Sequence, residues 1–138
     1  MVVAVLIAGG NPYDESRYTA ELYLPSFDVS CKLPSLPDER SSSTVDSTGL
    51  LCGGQETRSY CIELNSNTSS WEETVTLNAN RWMHVSWTPD PEIGTYLMGG
   101  FYEDMTTTLI KPDGTQEPGF PLKHDARFVF NIDILFDL

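Results

Sequence analysis

Three short apolar runs in this 138-residue chain each end in a glycine pair: "LIAGG" closes at Gly10, "LLCGG" at Gly54 and "YLMGG" at Gly100. The pairs begin at Gly9, Gly53 and Gly99, steps of 44 and 46 residues. A fixed period of that length marks a repeat architecture, in which each unit is too small to bury a core alone and must stack on its neighbours. That spacing limits the fold more than any bulk property does.

The stretches between the pairs share one order. After Gly54, "YCIEL", the turn cluster "NSNTSS" and the alternating "WEETVTL" read as strand, turn, strand. After Gly100, "TTTLI" leads into "KPDG", with Pro112 and Gly114 where a type I turn wants them. After Gly10 the same order runs through "AELYL", "PSFD" and "VSCKL" behind a longer loop. Before the second and third pairs, Arg40 opens "RSSSTVDSTGLLCGG" and Arg81 opens "RWMHVSWTPDPEIGTYLMGG". Each of these is a strand, a turn ("DSTG" or "TPDPEIG") and a strand that ends at the glycines. No segment has the period of an amphipathic helix of useful length. The units are 1–36, 37–79 and 80–127, each of up to four short antiparallel strands. Residues 128–138, "FVFNIDILFDL", read as a strand outside the pattern.

Four-stranded units of this size hide both faces when stacked radially, as in a β-propeller of typically about four to eight blades. The expected fold is therefore all-β, an incomplete propeller of about three blade-like units. The strand ending in glycines is expected to be the inner one. "TQEPGF" is expected to be the outer edge, with Pro118 blunting it. Met1 is expected to begin on a strand whose earlier partners lie outside the chain, and the chain alone is not expected to close a ring.

The residues that fill this frame resemble the kelch-repeat family, in which apolar residues lead into a glycine doublet, then a tyrosine, then a tryptophan. Gly53, Gly54, Tyr60 and Trp71 follow that order, and Arg81 with His84 resembles the arginine and histidine that often open a kelch unit. The first unit has Gly9, Gly10 and Tyr23, but Cys31 falls near the tryptophan place. The third has Gly99 and Gly100, with Ile110 near the tyrosine place and no tryptophan. Arg40 lacks a following histidine. The resemblance spans roughly residues 1–127 and implies a propeller used mostly for protein recognition.

Enzymatic readings meet too few residues. A galactose-oxidase-like copper site needs about two imidazoles converging with a tyrosine, and the two histidines, His84 and His124, are far apart in the repeat frame. Sialidase-like chemistry needs an arginine cluster, whereas the arginines here are spread along the chain. The serines lack a nucleophile elbow. No cofactor or metal is expected. Eight basic against 20 acidic residues, a net charge of −12, oppose binding to nucleic acid or anionic lipid. No apolar run is long enough to cross a membrane, and "MVVAVLIAGG" lacks the basic start of a signal peptide.

Two features bear on the compartment. Cys52 ends a strand and Cys61 lies in the next, so antiparallel pairing would bring the thiols together; two small packed hydrophobes are the alternative. Asn67-Thr68-Ser69 is a glycosylation sequon at an expected hairpin tip. Used together, they place the chain outside the cell; unused, they leave a cytoplasmic protein.

The function expected is a non-catalytic scaffold that recognises a protein partner through loops at one rim of the blades. The loops after the glycine pairs carry Tyr13, Arg17, Tyr18, Arg58, Phe101 and Tyr102, residue types that anchor interfaces. Alternatively, Tyr18 and Phe101 pack between units. The competing readings are a fragment of a larger propeller enzyme and a sugar-binding propeller. The remaining blades are expected from sequence beyond this chain.

Overall fold

The computed structural model describes residues 4–56, 59–101 and 106–123. Arg58, Tyr102, His124 and the expected strand at 128–138 lie outside them. The described chain is all-β apart from one 3-10 turn, Glu15–Tyr18, and forms three antiparallel sheets. The first contains β1 (Val5–Ala8), β2 (Ala20–Leu24) and β3 (Val29–Lys32) in that order. The second runs β4 (Thr44–Val45), β5 (Leu51–Cys52), β6 (Tyr60–Asn65) and β7 (Ser70–Thr76). The third runs β8 (Val85–Asp90), β9 (Gly94–Met98), β10 (Thr107–Ile110) and β11 (Gln116–Pro118).

In the second and third sheets the strand that ends in glycines is not at the end of the sheet: β5 pairs with both β4 and β6, and β9 with both β8 and β10, so it lies second, whereas β1 is the first strand of its sheet among the described residues. The first strand of each of these sheets is the one opened by Arg40 or Arg81. In the second sheet that strand, β4, is only two residues long. The proline-bearing turn is also shorter than expected. β8 continues through Thr88 and Pro89 to Asp90, with a register shift between Trp87 and Asp90 that spares the proline a ladder bond. The hydrogen bond from the Gly114 amide to the Lys111 carbonyl, 2.9 Å, closes the turn between β10 and β11.

The second sheet is buried on both faces. Leu51 and Cys52 are sequence neighbours and point to opposite sides. Leu51, Ile62 and Trp71 pack with Ala20 and Leu36 of the first unit. Cys52, Cys61, Val75 and Leu77 pack with Leu97 and Ile110 of the third. Trp71 and Val75 are four apart on β7 and would share a face in a regular strand. A bulge at Cys61/Ile62, opposite the residue between Glu73 and Val75, sends them to different cores. The Trp71 indole also donates 2.9 Å to the Pro34 carbonyl, fastening the second sheet to the chain that leaves the first.

Cys52 and Cys61 face each other across β5 and β6 and are joined by a disulfide, with Cα atoms 4.1 Å apart. Cys31 is exposed and free.

Candidate functional site

The glycine pairs and the arginines form one repeated joint. The Gly10 amide donates to the Arg40 carbonyl at 2.9 Å, and the Gly54 amide to the Arg81 carbonyl at 3.1 Å. Each arginine's guanidinium then reaches the glycine pair of its own unit. Arg40 Nη1 donates to the Gly53 carbonyl and Arg81 Nη1 to the Gly99 carbonyl, both at 2.7 Å. Each also donates at 3.3 Å one strand further, to the carbonyls of Tyr60 and Thr106. Arg81 adds the hydroxyls of Thr106 and Thr108 at 2.9 Å. Both arginines are buried. One side chain thus spans two glycine pairs, its backbone held by the preceding unit and its charge by its own.

This joint explains why the pairs are glycine. At Gly53 φ is +62°, in the left-handed region, and a Cβ would run into the Arg81 carbonyl and come within 2.8 Å of His84 Cε1. Gly9, at φ +75°, has the Arg40 carbonyl in the same place.

The joint also shows which residues are equivalent to Tyr60 in the other two units, and they are neither Tyr23 nor Ile110. The Gly9, Gly53 and Gly99 amides donate to the carbonyls of Thr19, Tyr60 and Thr106, so Thr19 and Thr106 stand where Tyr60 does. Tyr23 and Ile110 lie further along their strands. Tyr23 pairs with Ser30 as Leu64 pairs with Trp71, so the counterpart of Trp71 in the first unit is Ser30, one residue before Cys31. Tyr60 lies under the Arg40 guanidinium, 4.5 Å from ring centre to Cζ, and its hydroxyl donates to Asp38. Burial and the Asp38 carboxylate push the Tyr60 phenol up to about 12. Burial pulls the Arg40 guanidinium below its usual range, opposed by Tyr60 and Asp38.

His84 joins the second sheet to the third. It is 2% exposed, and its Nε2 lies 2.9 Å from the Thr44 hydroxyl on β4. Burial, and then the neighbouring Arg81 charge, push it down to about 3, so it is a neutral structural imidazole at ordinary pH. Among the described residues no group of three or more His, Cys, Asp or Glu is placed to hold a metal.

The loops after the glycine pairs emerge at this rim. Asn11 accepts from the Tyr13 amide at 3.0 Å, Ser16 from the Asn11 amide at 2.9 Å, and Asp14 caps the 3-10 turn through the Ser16 amide. The Arg40 amide donates 2.9 Å to the Arg17 carbonyl. Tyr13 stands out from this braced loop at 91% exposure. Its neighbours turn inward: Arg17 Nε is 3.2 Å from Glu39, and the Tyr18 hydroxyl donates 2.7 Å to the same carboxylate. Phe101 packs on Trp82 with ring centres 4.9 Å apart, and its amide donates to the Trp82 carbonyl. So the structure brings Arg17 and Tyr18 into contact with Glu39 of the second unit, sets Phe101 on Trp82 within the third, and leaves Tyr13 outward.

Two contributors have roles that the sequence does not reveal. Arg40 reads there only as the residue that opens its unit, without the histidine that follows Arg81. Asp46 reads as an ordinary turn residue. Its Oδ1 takes the Thr48 and Leu50 amides at 2.8 and 3.0 Å, while Oδ2 takes the hydroxyls of Thr88 (3.1 Å) and Thr95 on the third sheet. Beside it, at the rim opposite the glycines, lies a cleft of about 440 Å³ between the second and third sheets, bordered by Glu63, Thr74, Lys111 and Asp113. No aromatic ring is among its lining residues, so it offers a sugar no stacking platform. No protein-family model and no curated protein matches the chain.

Proposed function

We propose that this chain is three consecutive units of a kelch-like β-propeller, and that its glycine-side rim binds a protein partner without catalysis. Tyr13 carries this reading. A large amphipathic ring, 91% exposed, sits on a loop held by side-chain and backbone hydrogen bonds from both ends. A rigid aromatic offers contact area with little ordering cost on binding. A net charge of −12 favours a partner with a basic surface through steering.

The repeated arginine joint supports the radial stack: it sets successive sheets face to face in a constant relation. The Cys52–Cys61 disulfide favours an oxidising compartment. Asn67 is exposed in the turn between β6 and β7, within reach of the glycosylation machinery there. No helix among the described residues is long and apolar enough to cross a membrane.

The test is quantitative affinity capture with the immobilised chain, its Tyr13→Ala variant and a Phe27→Ala variant at the opposite rim. Recognition through the glycine rim requires a defined partner lost with Tyr13→Ala and kept with Phe27→Ala. Equal capture by all three would refute it.

A further inference from the structure

The cleft beside Asp46 opens between the second and third sheets, so both its walls belong to adjoining units of this chain and it needs no further unit to form. Its volume, about 440 Å³, lies within the roughly 300–1,000 Å³ usual for ligand sites. The floor is apolar. Leu50 and Val75 from the second sheet and Ile110 from the third line it, over the core that holds the disulfide.

The walls above that floor are acceptors. The Thr48 hydroxyl donates 2.6 Å to Asp46 Oδ1. The hydroxyls of Thr88 and Thr95 have only Asp46 Oδ2 and each other as partners, so their hydrogens are committed inside this cluster. What these three lining hydroxyls have left for a ligand is oxygen lone pairs. Glu63 borders the cleft from the second sheet and Asp113 from the third, both exposed. Lys111 lies beside them, but its ammonium is paired with Glu117 at 2.8 Å. Glu63 and Asp46 have no ion pair among the described residues. The cleft therefore selects a ligand that is apolar along its length, carries donors at its tip and is positively charged. An arginine has that form: an apolar stem and a planar guanidinium that only donates. A lysine ammonium, a point charge, serves fewer spread acceptors.

We propose that this cleft receives an arginine side chain from a basic segment of a partner protein. The stem lies on Leu50, Val75 and Ile110, and the guanidinium faces the threonine oxygens and the carboxylates of Glu63 and Asp113. A free guanidinium compound has the same chemistry. The net charge of −12 favours the protein, because the field of the whole chain steers an extended basic surface more strongly than a single charge. The site lies at the rim opposite Tyr13, so partner capture through Tyr13 and arginine binding here succeed or fail separately.

The experiment titrates the isotope-labelled full chain with the capped tripeptide Ala-Arg-Ala and follows backbone amides by NMR. The amides of Thr48, Glu63, Thr95 and Lys111 should shift saturably. The same peptide with citrulline, neutral and nearly isosteric, should leave them in place. Glu63→Gln should weaken binding about two- to fivefold, and Tyr13→Ala should leave it unchanged. Shifts confined to other parts of the chain, equal shifts with the citrulline peptide, or full affinity in a Glu63→Gln, Asp113→Asn double variant would each overturn the proposal. Agmatine binding as tightly as the peptide would overturn the assignment to a partner protein.

Discussion

Arg81 and Gly53 depend on each other through the carbonyl of the arginine, which lies where a side chain at Gly53 would be. Gly53→Ala therefore meets both a left-handed φ and a backbone clash, and should cost more than about 3 kcal/mol. Gly49 has φ +92° with nothing within 4 Å of an added Cβ, so Gly49→Ala should lose only about 1–2 kcal/mol of backbone strain. Urea melts of the two variants separate the effects, and similar losses would mean that the joint is not tight. His84 supplies a pH dependence. Its folded value, about 3, lies below the ordinary 6.5. The unfolded chain thus takes up a proton first as pH falls, and stability complete above pH 6.5 drains away toward pH 3. Between about pH 6.5 and 5, unfolding free energy should drop by at most about 1.4 kcal/mol per unit, and His84→Gln should flatten that slope. An unchanged slope in the variant would remove His84 as its source. At this level the glycines were legible because backbone conformation dictates residue type. The counterparts of Tyr60 in the other units, Thr19 and Thr106, were not, because that place is defined by a carbonyl that accepts from the first glycine of the pair, and a carbonyl leaves no mark on side-chain choice.

The strands draw their positions from two cores that share the second sheet. Turn residues marked the hairpins well: "PSFD" and "KPDG" fall between paired strands, and "NSNTSS" spans the turn from Asn65, which ends β6, to Ser70, which begins β7. Two things were not readable. The place of a strand within its sheet is set by its pairing partners, which alternation along the strand does not encode, so the second place of β5 and β9 was not legible. The bulge in the β6–β7 pair reverses which face Val75 serves, and alternation along β7 alone assigns it to the wrong core. The disulfide ties β5 to β6 across a sequence separation of 9. Its closing of that short loop is worth about 2–3 kcal/mol. Reduction, or Cys52→Ala with Cys61→Ala, should lower the unfolding free energy by about that amount while leaving far-ultraviolet dichroism unchanged at low temperature. A loss of β signal on reduction would show instead that the second sheet needs the bond to form.

As a whole the molecule is a stack in which no sheet has a core of its own: Leu51 and Ile62 need Ala20 and Leu36, and Cys52 and Cys61 need Leu97 and Ile110. The period of the glycine pairs made that stacking legible. The chemistry of the joints was not, since Asp46 and Arg40 act across unit boundaries that no local pattern marks. The joints can be watched one amide at a time. Gly10 and Gly54 follow strands rather than lying in them, and their amides have neighbouring-unit carbonyls as acceptors. If the units stack as described, amide hydrogen exchange followed by NMR will find both protected to nearly the same degree as the Cys61 and Leu97 strands they adjoin. Rapid exchange at Gly10 and Gly54, with those strands still protected, would mean that the sheets form but the units are not joined through their arginines.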